Sequence, residues 1–114
     1  MMKFPKTIVV GNSGNVLNKK MGKFIDSCDI VIRCNNFQTK GFEQYIGTKT
    51  NILCLHANCW WENLNKIKSL KKIWIWGLDY SLRTRNIKIP KKCSLIDNFK
   101  GYFEYKNIFP SELI

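Results

Sequence analysis

The sequence has few acidic residues, few arginines and a single histidine. Asp and Glu number 8 against 19 Lys and Arg, which gives the 114-residue chain a formal net charge of +11. A field of this sign attracts anions, so nucleic acid, an anionic membrane surface and phosphorylated small molecules are the candidate partner classes. Arginine occurs only at Arg33, Arg83 and Arg85, which is few for a protein that reads base edges. A solvated lysine-rich surface is the favoured interpretation, and nucleic-acid binding is disfavoured.

The chain also lacks the patterns of a metal site, a disulfide framework and a membrane span. Its 5 cysteines form no CxxC pair and no Cys/His cluster at zinc spacing, so we expect free thiols in a reducing compartment. No apolar run reaches the length of a signal peptide core or a membrane span. We therefore expect a cytoplasmic protein without bound metal, whose basic surface could rest on an anionic membrane.

The order of apolar and polar stretches predicts a single α/β domain over residues 1–114 with a mostly parallel sheet flanked by helices. Strands are predicted at residues 7–10, 29–33, 51–56 and 72–77, and helices at residues 15–24 and 60–70. The β-branched run 7–10 is typical of a strand buried on both faces. Residues 35–49 are predicted to be a polar loop, 83–90 extended, and 93–103 mixed helical or irregular. Ligands of such a sheet bind at the carboxyl ends of its strands.

The first predicted strand ends in Gly11-Asn12-Ser13-Gly14. The glycines permit close approach of a ligand, and Asn12 and Ser13 offer hydrogen-bonding side chains. Backbone N–H groups at the start of a following helix would face an anion. The G-x-x-G spacing matches neither the dinucleotide fingerprint nor the P-loop, and a plain tight turn explains it equally well.

The second predicted strand ends in Arg33-Cys34-Asn35-Asn36, beside that turn. An asparagine there could bind a pyrimidine or ribose edge, and Arg33 could pair with a phosphate or a buried carboxylate. Loop capping by the asparagines and a structural pair of Arg33 with an aspartate are the alternatives. Both remain open at this point.

Four other side chains are candidates for the cleft. His56 ends the third predicted strand, where a general base could stand; a cleft-wall residue without catalytic role is the favoured alternative. Asp79 follows the fourth strand and could accept a hydrogen bond from a hydroxyl of a bound substrate, although capping of the next segment is favoured. Trp60 and Trp61 could stack on a sugar, but their helical spacing favours the core.

Three segments in residues 8–51, VVGNSGN, IDSCDIVIRCNN and TKGFEQYIGTKT, resemble in order the large sialylmotif of glycosyltransferase family 29, the sialyltransferases. The resemblance implies a Rossmann-like α/β fold, a variant of the GT-A type, and transfer of sialic acid or a related sugar from a CMP-sugar donor to a glycan acceptor without metal or cofactor. It implies that Asn12, Ser13 and Asn35 contact the nucleotide, with Gly11, Gly14 and Asn36 beside them. Arg33, Gly41, Phe42, Glu43 and Asp79 are expected to support this site. The family places its base elsewhere than His56.

The chain departs from the family pattern at two places. Thr7 stands where the family usually has a disulfide-forming cysteine, which agrees with free thiols. The small sialylmotif and the later motif with the catalytic histidine are not found before Ile114, so we expect an incomplete domain. A CMP-sugar-binding domain without transferase activity is the first alternative, and a basic nucleic-acid-binding α/β module is the second.

Overall fold

A parallel β-sheet forms the centre of the molecule. The computed structural model of the chain describes residues 4–77 and 87–95. Within these residues the sheet has five strands: β1 (Thr7–Val10), β2 (Ile30–Cys34), β3 (Ile52–His56), β4 (Lys72–Trp76) and β5 (Cys93–Leu95). Neighbouring strands are parallel and follow the chain order β1-β2-β3-β4-β5. The predicted α/β class and the first four strands are confirmed.

One face of the sheet carries the core. The register pairs Val10 with Arg33, Arg33 with Leu53, and Leu53 with Ile73, so these side chains share a face. Leu53 and Ile73 are fully buried, whereas Val9, which alternates to the other face, is 63% exposed. The prediction that residues 7–10 are buried on both faces is therefore wrong. β1 lies at the edge of the described sheet and has a single strand neighbour. Its residues alternate between exposed and more buried positions.

The predicted helix over residues 15–24 is wrong in extent. A 3-10 helix spans Gly14–Asn18, and α1 spans Gly22–Ser27. Between them, Lys19 is extended, with φ −136° and ψ 143°. This stretch contains glycine and asparagine, which are poor helix formers. The apolar residues that predicted one helix are therefore divided between two short helices. A short α2 (Glu43–Ile46) lies inside the predicted loop, where it is too brief to produce a periodic pattern.

The helix predicted over residues 60–70 begins with two 3-10 turns, Ala57–Cys59 and Trp61–Asn63, and becomes the α-helix α3 at Leu64–Ser69. Trp60 is 5% exposed, as the core prediction requires, but Trp61 is 46% exposed and the core assignment is wrong for it. A 3-10 turn advances each side chain farther around the axis than an α-helical turn does. After Trp60, the next side chain that faces the interior is therefore that of Asn63, which is 2% exposed.

The prediction of a mixed helical or irregular segment from residue 93 is wrong where the structure describes it. Ile73 pairs with Cys93 and Ile75 with Leu95, so residues 93–95 form β5. Pairing with a strand far away in sequence overrides local preference here. Residues 87–90 of the predicted extended segment form no regular element. Asp79 and residues 83–86 and 96–103 lie outside the described residues.

Two buried clusters lie on the core face. One joins β3, β4 and α3 through Leu53, Leu55, Trp60, Ile67 and Ile75. The other joins the β1–β2 side to α1 and α2; it contains Val10, Ile25, Cys28, Val31 and Ile46. All five cysteines are described and are free thiols. Among the described helices, none has the length and hydropathy of a membrane span.

Candidate functional site

A crevice opens at the carboxyl ends of β1 and β2. The residues that line it come from the turn after β1, the 3-10 helix, the loop after β2 and the two ends of α2: Gly11, Asn12, Ser13, Gly14, Val16, Leu17, Asn36, Gln38, Phe42 and Ile46. Its volume is about 230 Å³, below the roughly 300–1,000 Å³ typical of small-molecule sites. The described walls therefore enclose less space than a typical small-molecule site does.

The first wall is the turn after β1. Nδ2 of Asn12 donates to the backbone oxygen of Cys34 (2.8 Å), which ties the turn to the end of β2. Oγ of Ser13 accepts from the backbone N–H of Asn15 (3.3 Å) and caps the 3-10 helix. A Cβ added to Gly11 or Gly14 would meet no atom within 4 Å. Chain packing does not require these glycines, so the space beside them is open to a ligand.

The helix that follows this turn is a weaker anion site than the sequence predicted. The interpretation of residues 11–14 as a strand-to-helix turn assumed an α-helix, whose aligned peptide dipoles favour a negative charge. The segment after Ser13 is instead a five-residue 3-10 helix. The polar side chains that this wall offers are those of Asn12 and Ser13.

The second wall is formed by Asn36 rather than Asn35. Asn35 has a φ of 47°, a left-handed conformation that asparagine tolerates better than most residues. Its Oδ1 accepts from the backbone N–H of His56 (2.7 Å), and its own N–H donates to the backbone oxygen of Cys54 (3.0 Å). Asn35 thus ends β2 and joins it to β3, whereas Asn36 is exposed and lines the crevice.

Arg33 is buried on the core face and is not among the lining residues. It is 1% exposed, and its guanidinium donates to the backbone oxygens of Ile46 (2.8 Å) and Lys49 (3.0 Å) and to Oγ1 of Thr50 (3.0 Å). Burial lowers the pKa of Arg33, and the nearby charge of Asp26 opposes this shift. Arg33 therefore holds both the lining residue Ile46, which ends α2, and the segment that follows it.

Asp26 holds the same segment from α1. Its carboxylate accepts from the backbone N–H groups of Thr48 (3.0 Å) and Lys49 (2.9 Å). Burial acts to raise the pKa of Asp26, but hydrogen bonds from Lys49 and Thr48 outweigh it, and the pKa lies below its usual value. Gly47 has a φ of 71°, and a Cβ there would stand 2.3 Å from Oδ1 of Asp26. Residue-level reasoning gave Asp26 no role, although it lies inside the IDSCD segment.

The Gly41-Phe42-Glu43 segment approaches the crevice from α2. Gly41 has a φ of 90°, which a side chain would strain. Phe42 is half-buried and lines the crevice, and the backbone oxygen of Glu43 lies against Gly22 of α1. The segment therefore contributes the side chain of Phe42 to the crevice wall. Through the backbone of Glu43 it also makes the contact that packs α2 against α1.

His56 is not among the lining residues. Its Nδ1 accepts from the backbone N–H of Asn58 (3.0 Å), and its ring meets Trp76 edge to face at 4.3 Å. An imidazole whose Nδ1 accepts a hydrogen bond carries its proton on Nε2 when neutral, so Nε2 has no lone pair for a substrate proton. A Cβ on Gly77 would stand 2.5 Å from that Nε2. The described geometry does not arrange His56 as a general base.

The crevice lining is uncharged and combines polar with apolar side chains. None of its described lining residues is ionisable. The described residues also contain no group of three or more His, Cys, Asp or Glu side chains that could hold a metal ion. Two residues that sequence reasoning missed, Gln38 as a lining residue and Asn63 behind Asn36, belong to this site. In the sequence, Asn63 stands out only as a polar residue among the apolar positions that precede α3.

Residues 2–98 match the family model of glycosyltransferase family 29 (sialyltransferase). A beta-1,6-galactosyltransferase of Arabidopsis thaliana is 52% identical over 50 residues, which are 44% of this chain and 13% of that protein. A CMP-N-acetylneuraminate-beta-1,4-galactoside alpha-2,3-sialyltransferase of Mus musculus is 49% identical over 47 residues, 41% of this chain and 13% of that protein. The chain thus spans a small part of the curated relatives that it matches.

The fold is similar to that of a mammalian sialyltransferase solved in complex with Gal-beta-1-3GalNAc-ortho-nitrophenol. The TM-score is 0.50 at 24% identity, over 80% of this chain and 37% of that chain. At this identity the similarity shows the fold, and the match to residues 2–98 shows the family. The chain belongs to glycosyltransferase family 29, the sialyltransferase family.

Proposed function

We propose that this chain forms the donor-nucleotide site of a glycosyltransferase that transfers sialic acid or a related sugar from a CMP-sugar to a hydroxyl of a glycan acceptor. The observation that supports this proposal is the single crevice that Asn12, Ser13 and Asn36 share at the carboxyl ends of neighbouring strands. In open α/β sheets that edge is where ligands bind.

The lining residues suit a nucleotide. The hydroxyl of Ser13 and the amides of Asn12, Asn36 and Gln38 supply donors and acceptors, and Phe42 supplies an apolar surface against which a base or ribose can pack. When the glycosidic bond to CMP breaks, negative charge develops on the departing phosphate. Neutral donors held in fixed positions stabilise such a charge without reorganising.

The sugar is the less determined part of the proposal. One relative is a beta-1,6-galactosyltransferase by name and another is an alpha-2,3-sialyltransferase, and both share about the same length of sequence with this chain. The shared stretch is therefore expected to recognise the nucleotide, while other parts of a complete enzyme select the sugar and the acceptor.

A second candidate function is donor binding without turnover. The described geometry brings no general base to the crevice, since His56 is held by Asn58 and lies beside Gly77. An acceptor hydroxyl needs such a base before it can attack the sugar. Release of CMP from a CMP-sugar in the presence of glycan acceptors separates the two functions, because only a transferase releases CMP in an acceptor-dependent manner.

Calorimetric titration with CMP, AMP and single-stranded RNA tests the donor site. We expect selective binding of CMP, and about tenfold weaker binding by Asn12→Ala, because one ligand hydrogen bond is lost. Asn65→Ala, which removes an exposed amide on α3, is the matched control and should bind as the wild type does. Equal responses to CMP and AMP, or unchanged affinity in a folded Asn12→Ala variant, would contradict this proposal.

A further inference from the structure

A buried asparagine outside residues 8–51 connects α3 to the crevice. Asn63 is 2% exposed and directly precedes α3. Its Nδ2 donates to Oδ1 of Asn36 and to the backbone oxygen of Cys59 (2.7 Å), while its Oδ1 accepts from Nζ of Lys66 (3.3 Å). Both amide protons and the carbonyl oxygen of Asn63 are thereby used inside the protein. Asn63 acts on the crevice only through Asn36.

The two ends of this hydrogen-bond chain fix the orientation of the amides between them. A lysine ammonium can only donate, so Oδ1 of Asn63 must face Lys66. The backbone oxygen of Cys59 can only accept, so Nδ2 must face Cys59. Asn36 can then meet Asn63 only with its own Oδ1. The two N–H donors of Asn36 remain for the crevice that this residue lines.

Lys66 holds the same loop at a second place. Its Nζ donates to the backbone oxygen of Phe37 and lies 4.2 Å from the centre of the Phe37 ring. Partial burial lowers the pKa of this ammonium, with no ion pair among the causes. Lys66 therefore fixes the residue after Asn36 and, through Asn63, the amide of Asn36 itself.

The opposite wall has the complementary polarity. Nδ2 of Asn12 uses one of its two protons on the backbone oxygen of Cys34 at 2.8 Å, and Oδ1 of Asn12 remains available to accept from a ligand. Asn36 thus offers donors and Asn12 offers an acceptor across one crevice. A nucleotide supplies both complements, since its phosphate and pyrimidine carbonyl accept while its ribose hydroxyls donate.

We propose that Asn63 and Lys66 are positioning residues, which turn the amide donors of Asn36 into the crevice to bind a hydrogen-bond acceptor of the nucleotide. The proposal rests on the proposed function, because the ligand is the donor nucleotide. The acceptor is either a phosphate oxygen or the pyrimidine carbonyl, and the two sources are separated by the choice of ligand.

The test is a double-mutant cycle read by the affinity for CMP. Asn63→Asp removes the donor to Asn36, so the Asn36 amide inverts and presents its oxygen to the ligand; we expect about tenfold weaker binding. In an Asn36→Ala background the same change should have no further effect. Asn65→Asp places an equal charge change on the exposed side of α3 and should leave the affinity unaltered. Losses that add in the double variant would overturn the proposal, because they indicate a general effect on the fold.

Lys66→Met keeps the aliphatic stem over Phe37 but removes the ammonium, and it serves as the second variant if Asn63→Asp fails to fold. We expect a smaller loss of CMP affinity that also disappears in the Asn36→Ala background. Titrations with cytidine and with ribose 5-phosphate locate the acceptor: Asn63→Asp weakens only the ligand that contains the group bound by Asn36. Unchanged affinity for all three ligands in both folded variants would overturn the proposal.

A measurement without ligand separates failure of this proposal from failure of the proposed function. If the wild type does not bind CMP, the donor-site proposal fails, yet the side-chain amide protons of Asn63 still report the hydrogen bond to Asn36 by NMR exchange. We expect these protons to be protected in the wild type and to exchange faster in Asn36→Ala. Equal exchange in the two proteins would show that Asn63 does not position Asn36.

Discussion

At the scale of single residues, two buried or half-buried charges hold the segment after α2. Asp26 accepts the N–H groups of Thr48 and Lys49, and Arg33 donates to the carbonyl oxygens of Ile46 and Lys49. Both bind backbone groups at the end of the four-residue helix α2 or just after it. Because Ile46 lines the crevice and neither Asp26 nor Arg33 does, these charges support the crevice wall from behind its lining.

The lowered pKa of Asp26 predicts how stability changes with pH. The folded pKa lies below the unfolded value of about 3.9, so the unfolded state binds more protons and stability rises with pH in this range. The contribution of Asp26 is complete above about pH 4 and is lost as the pH falls through the folded pKa. Asp26→Asn should therefore be less stable than the wild type at pH 7, by about 1–2 kcal/mol, and the difference should shrink below pH 4.

Urea unfolding at several pH values measures this difference. Asp29→Asn is the control, because Asp29 is exposed and its carboxylate accepts a single described hydrogen bond, from the N–H of Lys6 (2.7 Å). At pH 7, Asp29→Asn should lower the free energy of unfolding by less than Asp26→Asn does. A gap between wild type and Asp26→Asn that stays constant down to pH 2 would show that the ionised carboxylate of Asp26 does not stabilise the fold.

At the scale of elements, the contact between α1 and α2 depends on one glycine. A Cβ on Gly22 would stand 2.1 Å from the backbone oxygen of Glu43 and 2.9 Å from that of Gln44. Backbone atoms cannot rotate away as a flexible side chain can, so the two helices would have to separate. Gly22 is the first residue of α1 and is buried.

Gly22→Ala should therefore destabilise the protein by about 1–3 kcal/mol through overpacking, in spite of the roughly 1 kcal/mol that alanine gains over glycine inside a helix. Gly11→Ala is the matched control, since its Cβ would meet no atom within 4 Å, and its stability should stay within about 0.5 kcal/mol of the wild type. Thermal unfolding followed by circular dichroism compares the two. A Gly22→Ala variant as stable as Gly11→Ala would show that α1 and α2 can move apart freely.

The elements also show how far the sequence was informative. Strands β1 to β4 were predicted because each is a short, mainly apolar run, and that signal is local. β5 was not predicted, because Cys93–Leu95 is defined by pairing with β4. The 3-10 turns before α3 were missed for a related reason: apolar spacing indicates a helix but does not distinguish its type, and here the type turns Trp61 outward and Asn63 inward.

At the scale of the whole molecule, the charge and the site are separate. The chain has a formal net charge of +11, yet none of the described residues that line the crevice is charged. A long-range field of this kind attracts anions and is screened by salt over about 10 Å at 0.1 M. In the proposed donor site, the ligand would meet neutral amides and a hydroxyl at short range, where salt has little influence.

CMP affinity should therefore change by less than about threefold between 50 and 200 mM salt. Single-stranded RNA, which would bind the lysine-rich surface through its phosphates, should lose affinity far more steeply over the same range. Titrations of both ligands at several salt concentrations compare them directly. Parallel slopes would place a lysine or arginine against the nucleotide phosphate and contradict the neutral site.

The sequence by itself determined the fold class, the family and the two segments that border the site, because these follow from local apolar runs and from a motif that is continuous along the chain. Only the tertiary structure decided which side chains face the crevice. Asn35 and Asn36 are adjacent in sequence, yet Asn35 is engaged with His56 whereas Asn36 lines the wall. Asn63 reaches Asn36 from another element. Side-chain orientation depends on hydrogen bonds between residues distant in sequence, and a linear pattern does not contain them.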